Sequence, residues 1–99
     1  MRIHFQRTGG FAGRKLEGIL DSSALPPAQV RQLRELLRQS HFFDKPSEIE
    51  PQAPGADRFS YKITVEYNNR RHTVEAMEGS VPGEMRPLLD FLTRSFFRS

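Results

Sequence analysis

The strictest constraint in this sequence is a period-2 alternation over residues 58 to 67 that is then run in reverse. Phe59, Tyr61, Ile63, Val65 and Tyr67 fall on one face, and Ser60, Lys62, Thr64 and Glu66 on the other. Alternation of this kind specifies a strand with one side on a core and the other in water. Asn68-Asn69 follows, a pair tolerant of left-handed φ, and Arg70 to Met77 resumes the pattern with His72, Val74 and Ala76 against Thr73 and Glu75. The two runs predict a β-hairpin with a tight turn.

A second hairpin is predicted at the other end of the chain. In residues 2 to 8, Ile3 and Phe5 alternate with Arg2, His4 and Gln6. Residues 14 to 20 place Leu16 and Leu20 on one face with Gly18 between them. A glycine there predicts a bulge or close packing against a helix. The connection, Gly9-Gly10-Phe11-Ala12-Gly13, is longer than a two-residue turn and carries an aromatic ring at its centre. Glycine permits positive φ and close backbone approach. Two readings of Phe11 stay open from the pattern: a ring folded back onto the core, or a ring presented to a pocket on a partner.

Between and after the hairpins lie two amphipathic helices. Pro26-Pro27 suits a helix start, and from Ala28 to about Ser40 the residues Val30, Leu33, Leu36 and Leu37 take helical spacing opposite Arg31, Arg34, Glu35 and Arg38. His41-Phe42-Phe43 is expected to plug the core at the helix exit. Residues 44 to 57 hold three prolines and a glycine and predict a long loop. Residues 78 to 83 end the second hairpin, and a helix carrying Met85, Leu88, Leu89, Leu92 and Phe96 runs to about Phe97, with Pro87 in its first turn. Ninety-nine residues in the order ββαββα predict one α+β domain over 1–99, a four-stranded, mainly antiparallel sheet with two helices on one face. With the hairpins in register, the Gly9–Gly13 loop and the Asn68-Asn69 turn would share one end of the sheet.

The chemistry available is thin. The chain has no cysteine, and its histidines, His4, His41 and His72, lack the spacing of a helical metal or catalytic motif. No catalytic residue, metal or cofactor is therefore expected, and no enzyme. No apolar run reaches the roughly 20 residues of a membrane span, and residues 1 to 5 lack a signal peptide's apolar stretch, so a cytoplasmic protein without a membrane partner is expected. A net charge of +3 and a pI near 9.8 raise nucleic acid as a rival partner. Arg31, Arg34 and Arg38 could track a phosphate backbone with Arg70, Arg71 and Arg94, but Glu35 interrupts the stripe and the strand aromatics are better explained as core.

Residues 2 to 13, Arg-Ile-His-Phe-Gln-Arg-Thr-Gly-Gly-Phe-Ala-Gly, the Ala24-Leu25-Pro26-Pro27 helix start, Phe42-Phe43, the block Gly55-Ala56-Asp57-Arg58-Phe59-Ser60-Tyr61, and Arg71-His72-Thr73-Val74 together resemble the emfourin family across essentially the whole chain. The resemblance implies a small intracellular bacterial inhibitor of thermolysin-like zinc metallopeptidases such as protealysin, with no cofactor and no nucleic-acid partner, expected as a monomer. Thermolysin-like clefts as a class favour a bulky apolar residue just after the scissile bond, which makes Phe11 a candidate occupant of that pocket. The peptidase-binding set expected on this basis is Gly10, Phe11, Ala12 and Gly13, with Asn68, Asn69 and Arg70 as a second contact and Asp57 and Arg58 as a third. Asp57 also has a purely structural alternative, capping backbone N–H groups to anchor the preceding loop. The absence of a cysteine, carboxylate or imidazole at the loop tip favours steric cover of the target's zinc over its ligation.

Overall fold

In the computed structural model, which describes residues 1–9, 14–50 and 59–96, the hairpin predicted from the alternation is present. Strands β3 (Phe59–Tyr67) and β4 (Arg70–Met77) pair antiparallel from Ser60 opposite Met77 to Tyr67 opposite Arg70. Asn68 and Asn69 have φ of 52° and 61°. Positive φ at both central residues matches the twist of a two-residue hairpin, and asparagine bears it at less cost than most side chains.

Strands β1 (Arg2–Gly9) and β2 (Arg14–Asp21) form the first hairpin, and β1 also pairs antiparallel with β3. The sheet order is β2-β1-β3-β4. Helices α1 (Pro27–Ser40) and α2 (Arg86–Phe96) complete the predicted ββαββα order. Ile3, Phe5, Tyr61, Ile63, Val65 and Val74 meet Leu33, Leu37, Leu88 and Leu92 in one core. Pro87 occupies the first turn of α2, where its missing N–H costs no helical bond, and a short 3-10 turn at Gly83–Met85 precedes the helix. Gly18 packs against α2, as the close-approach reading required.

Phe42 is fully buried and meets Phe43 edge-on at 5.6 Å between ring centres. His41 ends α1 in the left-handed region at φ 53°. The sheet's other face is polar. Even there Thr64 is buried, its hydroxyl 2.8 Å from that of Thr73 on the neighbouring strand.

Two expectations are corrected. The segment from residue 44 is not wholly irregular: Phe42–Asp44 forms a 3-10 turn, the Ile49 N–H donates to the Glu75 carbonyl, and the Glu75 N–H donates to the Ser47 carbonyl, each at 2.8 Å. Proline at 46 and 51 confines this pairing to a single parallel bridge on the free edge of β4. The second correction concerns the ends of the sheet. A shared end for both hairpin tips requires β1 and β3 to run parallel, but they are antiparallel, with Gly9 opposite Phe59 and Arg2 opposite Glu66. The Asn68-Asn69 turn therefore lies at the opposite end from the glycine-rich connection.

Candidate functional site

The end of the sheet at Gly9 is the better-built of the two. Gly9 is paired on both sides, with Arg14 of β2 and with Phe59 of β3, so the ladder is complete to the last residue before the glycine-rich stretch. Its φ of 110° lies where L side chains rarely go, which requires glycine at this position. Gly10, Phe11, Ala12 and Gly13 themselves lie outside the described residues, as do Asp57 and Arg58. Both stretches are nonetheless tied to this end: the first joins Gly9 to Arg14, and the second leads directly into Phe59.

Beneath this end sits a polar cluster on the helix side of the sheet. The Arg7 guanidinium lies 4.5 Å from the centre of the Phe59 ring, a cation–π contact at a ring that remains 36% exposed. Arg7 is also opposite Tyr61. Burial pushes the Tyr61 phenol up to about 12, the Glu78 carboxylate beside its hydroxyl adds to the rise, and Arg7 opposes it. Arg86 fastens Glu78 from the start of α2, donating to its backbone carbonyl at 2.5 Å and to its carboxylate at 3.4 Å. The last turn of structure after β4 is thereby tied to both sheet and helix.

Sequence periodicity missed this cluster. The available signal was Arg7 itself, which falls on the Ile3–Phe5 face of β1 where the alternation calls for an apolar residue. An arginine in such a position needs a ring and an anionic neighbourhood, and Phe59, Tyr61 and Glu78 supply them.

At the far end, Asn68, Asn69 and Arg70 are exposed. The Arg70 guanidinium lies 4.2 Å from the centre of the Phe43 ring, joining the turn to the exit of α1. An open groove of about 440 Å³ at this end is lined by Arg2, Glu66, Tyr67 and the turn residues. Eight residues of β1 separate the two ends, about 23 Å of strand.

The histidines are dispersed. His4 faces Glu17 at 3.4 Å on the open sheet face, and the His72 ring lies 2.6 Å from the Lys45 carbonyl, beside Phe42 and Phe43. Among the described residues no group of three His, Cys, Asp or Glu could hold a metal ion, and no helix is long and apolar enough to cross a membrane. On α1, Arg31 and Arg34 are exposed, whereas Arg38 is bound to Glu35 through both side-chain nitrogens that face it.

The Emfourin family model matches residues 5–93. Among solved structures, emfourin (M4in) from Serratia proteamaculans, described as an M4 family peptidase inhibitor, is 23% identical over 91% of this chain and 83% of that one, with a TM-score of 0.46. No curated protein is significantly similar.

Proposed function

The chain belongs to the Emfourin family, and from that membership we propose that it is a protein inhibitor of thermolysin-like zinc metallopeptidases of the protealysin type, acting in the bacterial cytoplasm. The observation that carries the proposal is the span of the family match, residues 5–93, which runs from within β1 to within α2 and includes the glycine-rich stretch.

The inhibitory edge is assigned to the Gly9 end of the sheet. Phe11 enters the apolar pocket just beyond the scissile position, and Ala12 with the flanking glycines lets the backbone approach the cleft wall. Burying one such ring contributes about 1.5 to 3 kcal/mol before ordering costs. Those costs are lowered by the paired strands, which fix Gly9 and Arg14 before the partner arrives. The same pairing opposes cleavage, since the ends of a cut loop would stay beside one another. Asp57 and Arg58, the two residues that precede Phe59 in the sequence, add further contacts to the peptidase. The target's zinc is covered sterically, with no ligand contributed by this chain. The Asn68-Asn69-Arg70 turn, at the far end of the sheet, falls outside this contact surface.

The test is inhibition of a purified thermolysin-like peptidase by the wild type and by Phe11→Ala, with circular dichroism confirming that the variant is folded. The expected result is inhibition at least thirtyfold weaker in the variant, about 2 kcal/mol. Equal inhibition by both would move the anchor away from Phe11. No inhibition by the wild type would overturn the proposal and leave nucleic acid, recognised by a steep loss of binding with salt, as the partner to test.

A further inference from the structure

The two edges of the sheet are treated differently. The edge of β4 is bridged by residues 47 to 49, whereas among the described residues no backbone group pairs with the outer edge of β2. An unpaired edge is a template for another strand unless its side chains oppose pairing.

The phase of β2 shows which groups are offered. The Ser22 N–H donates to the Met1 carbonyl at 2.9 Å, so Met1 and Ser22 form a hydrogen-bonded pair. Such pairs alternate along an antiparallel ladder. Leu20 with Ile3, Gly18 with Phe5 and Leu16 with Arg7 are therefore bonded to β1, and the N–H and C=O groups of Lys15, Glu17, Ile19 and Asp21 point outward.

We propose that these outward groups pair with the β2 of a second copy of this chain, joining two sheets across a two-fold axis at Gly18. The choice of partner rests on self-complementarity. Antiparallel pairing that keeps like faces together can be centred on Glu17, Gly18 or Ile19. Centring on Glu17 sets that carboxylate against its own copy, and centring on Ile19 sets Glu17 against Asp21. Centring on Gly18 sets Lys15 against Asp21 and Glu17 against Ile19 on the open face, and Leu16 against Leu20 on the helix face.

In that register all the outward groups bond, giving about eight interchain hydrogen bonds. Leu16, 37% exposed, gains apolar cover from the second copy's Leu20, and Ile19, 58% exposed, packs beside the aliphatic stem of the second copy's Glu17. The arrangement replaces the expected monomer with a symmetric dimer. Because the paired strands are antiparallel, the Gly9 ends of the two copies face opposite ways and both stay free.

Analytical ultracentrifugation of the intact chain from about 1 μM to 1 mM tests the proposal. A reversible monomer–dimer equilibrium is expected. Ile19→Pro removes an outward N–H while leaving the β1 ladder intact, and should weaken dimerisation at least tenfold. Lys15→Glu sets like charges opposite one another twice per dimer and should weaken it similarly at low salt, with partial recovery as salt rises. If Ile19→Pro fails to fold, Lys15→Glu decides. A mass of 11.4 kDa at every concentration, or a dimer that Lys15→Glu leaves unmoved, overturns the proposal.

Discussion

A β-carbon built on Gly18 would lie 2.6 Å from Cδ1 and 2.7 Å from Cε1 of Phe96, so β2 and α2 meet at a distance that only glycine allows. The Phe96 ring in turn stacks on Phe5 at 5.6 Å between centres, and Phe5 stacks on Tyr61 at 6.0 Å. One column of rings thus runs from the contact with the edge strand through the core to Tyr61, opposite Arg7.

Gly18→Ala should destabilise the fold by about 1 to 3 kcal/mol, because the new methyl group displaces a ring that is already stacked. Phe96→Ala costs packing of its own, but in that background Gly18→Ala should be nearly neutral. Urea unfolding of the four proteins of this cycle measures the coupling. Additive losses would mean that the contact between the two residues does not set the cost.

Stability should fall at alkaline pH through Tyr61. Its phenol is raised to about 12 in the fold, from an ordinary value near 10. The folded chain therefore holds a proton that the unfolded chain releases, so this contribution is fully present below pH 10 and is lost as pH climbs through about 12. Thermal melts from pH 8 to about 12 should show a steeper decline for the wild type than for Tyr61→Phe. Parallel declines would place the alkaline sensitivity elsewhere.

Most of the fold was legible because two periods dominate the chain. Alternation in residues 59–67 and 70–77 and helical spacing in α1 and α2 each point to one buried face, and Gly18 signalled its helix contact through its place inside a strand pattern. What periodicity cannot state is how hairpins dock. The antiparallel pairing of β1 with β3 is a long-range choice, and it separates the turn at Asn68 from the stretch at Phe11 that local reasoning had placed together. The bridge from residues 47 to 49 was hidden for a related reason. Prolines argue against extended pairing in this segment, but one bridge between prolines needs only a single free N–H and a suitable carbonyl. Arg7 was legible only as a violation of pattern, with partners supplied by β3 and by the turn after β4.

The separation of the two ends gives a sharp expectation for the turn. Asn69→Ala keeps φ at 61° but removes the short polar side chain that lets asparagine tolerate the left-handed region, and should cost about 1 kcal/mol of stability, while Asn69→Gly should be neutral or slightly stabilising. Arg70→Ala removes the contact with Phe43 and should cost about 0.5 to 1 kcal/mol. Peptidase inhibition should change less than twofold in all of them when measured below their melting temperatures. A tenfold loss of inhibition in any one would bring the far end of the sheet into the interface.

The contrast between the two sheet edges should be visible in amide hydrogen exchange. Ile49 and Glu75 donate to carbonyls across the β4 edge, so their exchange requires the bridge to open, and both should be protected at any protein concentration. The outward amides of Lys15, Glu17 and Ile19 have no such acceptor within one copy among the described residues. They should exchange rapidly in dilute protein and slow as concentration rises, while the inward amides of Leu16, Gly18 and Leu20 stay protected throughout. Alternation is the decisive feature, because a nonspecific aggregate would slow neighbouring residues alike, whereas strand pairing slows every second one. Protection of all six amides independent of concentration would show that another segment of the same chain already covers β2, and would exclude pairing between copies at that edge.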